Sequence, residues 1–126
     1  IKNGKDVTLD SGQVIDNAEL TFDPPKPMTY AYCSDTAYMP EIIPQIKGAD
    51  VLYHESTFLD SEEHLSAKTK HATAKEAATI AKKANVGTLI LGHYSTRYKS
   101  IELFKEEAQT IFKNVKLADD GKVFEF

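Results

Sequence analysis

The 126-residue sequence predicts an α/β domain. Three observations lead there. Strand-like and helix-like segments alternate from Met28 onward, the order that layers helices on a sheet. Thr88-Leu89-Ile90-Leu91 is a nearly continuous apolar run, the pattern of a strand covered on both faces. Ala74, Ala77, Ala78, Ala81 and Ala84 share one helical face, and side chains that small let a helix lie close on a sheet.

Each element has its own signal. Residues 4–16 read as a β-hairpin, with Val7 and Leu9 facing Val14 and Ile15 across the turn composition Asp10-Ser11-Gly12. Phe22-Asp23-Pro24-Pro25-Lys26-Pro27 is a linker, because three prolines cannot serve a central ladder. Met28 to Cys33 predicts a strand that runs into Ser34-Asp35-Thr36. Residues 40–47 predict a short helix with Ile42, Ile43 and Ile46 inward and Gly48 as its stop, provided Pro44 sits in the first turn. Asp50 to Tyr53 predicts a buried strand leading into His54-Glu55-Ser56-Thr57-Phe58, and Asp60 to His64 an exposed acidic loop. Thr73-Ala74-Lys75-Glu76 is a capping box, in which hydroxyl and carboxylate satisfy the free N–H groups of a helix start. The apolar strand from Thr88 ends at Gly92-His93-Tyr94-Ser95. Ser100 opens a helix with Ile101, Phe104, Ala108, Ile111 and Phe112 inward, and residues 114–118 and 122–126 predict two terminal strands around Asp119-Asp120-Gly121.

Composition narrows the function classes. Hydrophobic residues make up 41% and charged residues 27%, which is globular rather than disordered. No apolar run approaches the roughly 18 residues that span a bilayer, so no membrane partner is expected. The lone Cys33 excludes an internal disulfide framework and a Cys-rich zinc fold. The chain opens at Ile1 without methionine or a signal peptide, and is expected to be part of a longer protein. The net charge of −4 excludes a basic surface over the whole molecule, but the charge is uneven. Residues 1–67 carry −8 and residues 68–126 carry +4, with basic density at Lys68 to Lys83 and at Arg97 and Lys99. Lysines on helix surfaces for solubility account for this, and so does a local rim that attracts phosphate.

The chemistry-bearing residues collect at strand ends. Three predicted strands finish in Cys33-Ser34-Asp35-Thr36, Tyr53-His54-Glu55 and Gly92-His93-Tyr94. In open α/β sheets these ends form the edge where sites are built. Side by side, they bring together Asp35, His54, Glu55 and His93, with His71 entering from the loop before the capped helix. A carboxylate and neutral imidazoles from separate strands are the donors of a zinc or manganese site. Singly, such an aspartate caps a helix and such a histidine makes a structural hydrogen bond; their number on one edge is what points to a site. Four histidines without HxH or HxxxH spacing do not complete a two-metal centre, so further ligands have to come from elsewhere.

Ser34-Asp35-Thr36, Tyr53-His54-Glu55-Ser56-Thr57-Phe58, Lys70-His71-Ala72-Thr73-Ala74 and Leu91-Gly92-His93-Tyr94-Ser95-Thr96-Arg97-Tyr98 form, in this order, a series that resembles the C-terminal half of ribonuclease Z. That family comprises the tRNA 3′-processing endoribonucleases of the metallo-β-lactamase superfamily. The resemblance runs over residues 1–126 and implies a single domain: the C-terminal half of an αββα sandwich, a mixed sheet with helices on its outer face. It implies a zinc-dependent enzyme that hydrolyses a phosphodiester of precursor tRNA, cytoplasmic and homodimeric, with two zinc ions in the full-length protein. Asp35 matches the metal-bridging aspartate and His93 a metal-ligand histidine. Glu55 and His71 match residues that handle protons at the scissile phosphate, His71 as donor to the leaving ribose oxygen. Arg97, with Ser95 and Tyr98, matches the segment near the RNA backbone; Tyr94 and Tyr98 are candidates to stack on bases, with core packing expected for at least one of them.

Ser56, Ala72 and Gly92 depart from the usual Ala, Ser and Thr of the family, and none removes a chemical group the site needs. The family's HxHxDH motif and its tRNA-binding arm are absent from this sequence. The chain is therefore expected to need a missing N-terminal half as its partner and to be inactive alone. Two other readings stay open: a hydrolase of the same fold acting on another phosphodiester or an ester, and a non-catalytic binding or dimerisation domain. His54 is expected to be structural and His64 merely exposed.

Overall fold

A computed structural model describes residues 2–126. Its first elements are β1 (Val7–Thr8) and β2 (Val14–Ile15), an antiparallel pair in register Val7 to Ile15. Gly12 makes the turn at φ +82°, a conformation that costs glycine nothing. A single helical turn, α1 (Asn17–Leu20), follows.

The main sheet comprises β3 (Tyr30–Cys33), β4 (Val51–Glu55), β5 (Thr88–Gly92) and β6 (Val115–Leu117), in that order and all parallel. The α/β class holds. The sheet is parallel where a mixed one was expected, because the last expected strand does not form. After β6 the chain turns at Gly121 and leaves the ladder; Phe124 and Phe126 stack at 6.3 Å and enclose the Lys116 ammonium, 4.4 Å from the Phe126 ring. Aromatic and cationic partners thus engage side chains that a second ladder would have aligned.

Register explains the core. Ala31, Leu52, Leu89 and Val115 form one row across the sheet, and Cys33, His54, Leu91 and Leu117 the next on the same face. On that face pack α2 (Ile43–Ile46), α4 (Ala74–Ala84) and α5 (Glu102–Gln109). All five alanines of the predicted α4 stripe are fully buried. The Thr73 hydroxyl accepts from Glu76 N–H at 3.2 Å and the Glu76 carboxylate accepts from Thr73 N–H at 2.8 Å, which fixes the start of α4. Pro44 lies in the first turn of α2, where its missing N–H is harmless. The opposite face shows Tyr30 and Tyr32 to solvent, with Tyr32 stacked on Tyr53 at 4.7 Å.

The expected acidic loop at Asp60–His64 is instead helical. A 3₁₀ turn at Asp60–Glu62 leads into α3 (Glu63–Thr69). Buried Ser66 anchors it, and Lys70 ends it in a left-handed conformation at φ +64°. The Ser66 carbonyl then accepts the N–H of His71 at 3.0 Å. This cap decides where His71 stands. Among the described residues no helix is long and apolar enough to cross a membrane.

Candidate active site

Asp35, Glu55 and His93 lie at or just beyond the C-terminal ends of β3, β4 and β5, and the α3–α4 loop brings His71 to the same edge. The loops continue the ladder past the strands. Ser56 N–H donates to Gly92 O at 2.8 Å, Ser95 N–H to Thr57 O at 3.0 Å, and Ala74 N–H to Phe58 O at 3.0 Å. Residues 56–58 are thereby held between the His71 and His93 loops.

Glu55 is the centre of the arrangement. Its carboxylate is fully buried and receives five hydrogen bonds. Oε1 accepts from Thr36 N–H at 2.9 Å and pairs with His71 Nδ1 at 2.7 Å. Oε2 accepts from Thr57 N–H at 3.1 Å, the Thr57 hydroxyl at 2.7 Å and Ala72 N–H at 3.2 Å. A carboxylate withdrawn from water needs such a shell. Glu55 therefore acts on its neighbours and has no open route to a substrate.

Above it, His93 Nε2 stands 3.3 Å from Asp35 Oδ1, and the His71 and His93 rings are 5.2 Å apart. One ligand-type atom from each of Asp35, His71 and His93 lies within 4.8 Å of the other two. A carboxylate and imidazole nitrogen are donor chemistry of zinc, and a set this small leaves room for ligands from outside this chain. The residues present fit a metal ion of that kind. Asp35 at φ +51° and His93 at φ +61° are both in the left-handed region. Non-glycine residues there are strained, and such strain clusters at functional sites.

The remaining predicted residues divide into two groups. Arg97 is exposed at the site's rim, its guanidinium 5.1 Å from the Phe58 ring, 3.7 Å from Glu62 and bonded through Nε to Ser95 Oγ at 3.2 Å. Ser95 thus orients Arg97. Tyr98 is built into the fold: its hydroxyl accepts Leu59 N–H at 3.0 Å and its ring meets Phe104 edge-on. Tyr94 likewise packs on Phe104 and donates to Leu91 O at 2.5 Å, and burial pushes its phenol up. Both tyrosines pack against the core, as expected for at least one of them. His54 points into the helix-covered core, with Nδ1 2.7 Å from Glu55 O, and burial pushes its imidazole down. His64 is exposed on α3.

Sequence reasoning passed over three contributors. Thr57 bridges Glu55 and His93, its hydroxyl 2.8 Å from His93 Nδ1; a hydroxyl two residues beyond a strand-end glutamate was the available signal. Phe58 supports Arg97 and lies edge-on to His71 at 6.5 Å. Gly92 lets the Tyr53 ring lie against the backbone that carries His93, since a Cβ there would come within 2.7 Å of Tyr53 Cε2.

Comparison with known proteins adds to this geometry. The model of the "Beta-lactamase superfamily domain" matches residues 7–94. The ribonuclease Z of Parabacteroides distasonis is 48% identical over 121 residues, covering 96% of this chain and 40% of that protein. The solved metallo-beta-lactamase fold protein YhfI from Bacillus subtilis superposes with a TM-score of 0.72 at 31% identity, over 78% of this chain and 40% of that one. The long form RNase Z from yeast gives a TM-score of 0.64 at 28% identity, over 72% of this chain and 12% of that one. The chain spans about 40% of the length of the curated relatives it matches.

Proposed function

The chain belongs to the beta-lactamase superfamily, and from that premise we propose that it is the C-terminal part of a metal-dependent endoribonuclease that removes the 3′ trailer from precursor tRNA. One observation carries the reading: Asp35, His71 and His93 meet at one sheet edge, over a buried carboxylate that turns His71 toward the other two. The ribonuclease Z name of relatives at 48% identity supports the substrate.

Asp35 and His93 are this chain's residues for holding the metal, zinc by the donor set. In the full-length protein two ions would be held, with the other ligands in the part of the relatives that this chain does not span, and when bound they would supply an acidified water for attack and relief of charge on the phosphate. The chain's own residues do the rest. His71, when protonated on both ring nitrogens, delivers its Nε2 proton to the leaving ribose oxygen and keeps the Nδ1 hydrogen toward Glu55. Glu55 fixes that ring and does not touch the substrate. Arg97 presents a planar fork to a phosphate at the rim, set by Phe58 and Ser95. The chain alone is inactive, and the whole enzyme is a cytoplasmic homodimer.

The test uses the full-length protein and precursor tRNA with a 3′ trailer. Asp35→Ala and His93→Ala are expected to lose bound metal and cleavage together. His71→Ala is expected to keep metal and cleave about 10²–10⁴-fold more slowly, the size of a lost general acid. Loss of metal in His71→Ala would make His71 a ligand instead of the acid. Full metal content in Asp35→Ala and His93→Ala would favour a non-catalytic binding domain. The likeness to YhfI, closer in TM-score than that to the yeast enzyme, favours a second reading: hydrolysis of another phosphodiester or an ester. Turnover of bis(p-nitrophenyl) phosphate with precursor tRNA left intact would select it.

A further inference from the structure

We propose that Thr57 is a positioning residue that fixes the ring tautomer of His93, so that its Nε2 lone pair faces Asp35 and a bound cation. The inference rests on the metal-site reading above and adds a residue to it.

The argument is one of proton accounting. Glu55 is surrounded by donors: the N–H groups of Thr36, Thr57 and Ala72, the Thr57 hydroxyl and the His71 ring. Oε2, the oxygen that faces the Thr57 hydroxyl, already takes the N–H groups of Thr57 and Ala72 and so acts as an acceptor. At 2.7 Å from Glu55 Oε2, the Thr57 hydroxyl must therefore donate to it. A hydroxyl has one proton to give. Toward His93 Nδ1, at 2.8 Å, the same oxygen can then only accept. His93 thus carries hydrogen on Nδ1, and in the neutral imidazole Nε2 is the bare lone pair.

That lone pair stands 3.3 Å from Asp35 Oδ1. Two acceptors facing each other repel unless a cation or a proton lies between them. The same carboxylate holds the His71 ring, with Nδ1 2.7 Å from Glu55 Oε1. One buried carboxylate therefore sets both imidazoles, His71 directly and His93 through Thr57. Thr57 cannot drift from this task. Its own N–H is bonded to Glu55, its carbonyl accepts Ser95 N–H, and it is 8% exposed. A partner on the far nitrogen of a ligand histidine fixes ring orientation and raises ligand basicity, and its loss typically weakens metal binding 10–100-fold.

The experiment uses the full-length protein, with zinc as the probe. The first measurement needs no variant: ¹⁵N spectra of the metal-free protein, at a pH where imidazole is neutral, are expected to show the His93 hydrogen on Nδ1. A hydrogen on Nε2 would overturn the proposal. The second compares Thr57→Val, which keeps shape and removes the hydroxyl, with Thr57→Ser, which keeps the hydroxyl. By chelator competition, Thr57→Val is expected to bind zinc about 10–100-fold more weakly, with mixed His93 tautomers and an intact far-UV spectrum. Thr57→Ser is expected to restore affinity to within about threefold. Excess zinc is expected to return cleavage to Thr57→Val, because the residue orients a ligand and leaves the reacting atoms untouched. Wild-type zinc affinity in folded Thr57→Val would overturn the proposal while loss of zinc in Asp35→Ala left the metal site standing. Wild-type affinity in both variants would remove the metal-site reading itself.

Discussion

His93 Nε2 lies 3.3 Å from Asp35 Oδ1 although the two residues follow strands separated by β4. Both reach this position from left-handed backbone, at φ +61° and φ +51°. That conformation costs a side-chain-bearing residue about 1–2 kcal/mol. Glycine adopts it freely but loses about 0.5–1 kcal/mol more in chain entropy on folding. Asp35→Gly is therefore expected to stabilise the metal-free protein by about 0.5–1 kcal/mol while abolishing metal binding. Chemical denaturation in the presence of a chelator measures the first effect. A loss of stability there would mean that the turn is not strained in favour of the site.

Glu55 makes the opposite exchange, since its removal should cost stability as well as function. Glu55→Gln leaves an amide nitrogen facing donors that the carboxylate now accepts from. Each buried group left unsatisfied costs about 1–3 kcal/mol. The expected loss is about 2–5 kcal/mol, the range for breaking a buried charge network. Zinc affinity should fall with it, because the Thr57 hydroxyl that positions His93 loses its acceptor. Unchanged stability would show that water replaces the missing acceptor.

These cases mark how far the sequence could be read. Periodicity found α4, the apolar β5 and the strand ends, because alanine spacing and a continuous apolar run report burial directly. Asp35, Glu55, His71 and His93 were legible as residue types at strand ends and a helix entry. What escaped was set by contacts distant in sequence. The fate of residues 122–126 depends on Lys116 meeting Phe124 and Phe126. The helix at Glu63–Thr69 depends on burial of Ser66 and on the Lys70 cap. Whether Tyr94 or Tyr98 packs inward is not visible in sequence, because it depends on Phe104, which contacts both rings.

Gly92 and Tyr53 should behave as a coupled pair. Gly92 is not in the left-handed region, so its backbone tolerates alanine, but the added Cβ meets the Tyr53 ring within 3 Å. Gly92→Ala is expected to destabilise by about 1–3 kcal/mol, the cost of overpacking. Tyr53→Ala removes the obstruction, so in that background Gly92→Ala should cost much less than it does in the wild type. Additive effects in the double-mutant cycle would show that the ring moves aside without cost.

Arg97 tests the polyanion at the rim. Lysine keeps the charge but loses the planar fork and the stack on Phe58. Arg97→Lys in the full-length protein is expected to raise KM for precursor tRNA about tenfold, one lost contact of about 1–2 kcal/mol, and to leave zinc affinity unchanged. An unchanged KM would confine Arg97 to its ion pair with Glu62.

His54 gives the native state a pH dependence of definite sign. It is fully buried, and desolvation disfavours its charged form, so its folded pKa lies below the ordinary 6.5. The bond to Glu55 O opposes that shift but does not reverse it. As pH falls through 6.5 the unfolded chain takes up a proton that the folded chain refuses. The stability contribution is therefore present above the unfolded pKa and is lost on acidification, by at most about 1.4 kcal/mol per pH unit, until the folded pKa is reached. His54→Gln keeps an amide donor for Glu55 O and removes the titration. The stability difference between wild type and His54→Gln is expected to shift toward the variant as pH drops from 7 to 5. Taking the difference cancels the other histidines and the carboxylates. A difference constant across that range would mean that His54 accepts its proton equally well in both states, against its burial.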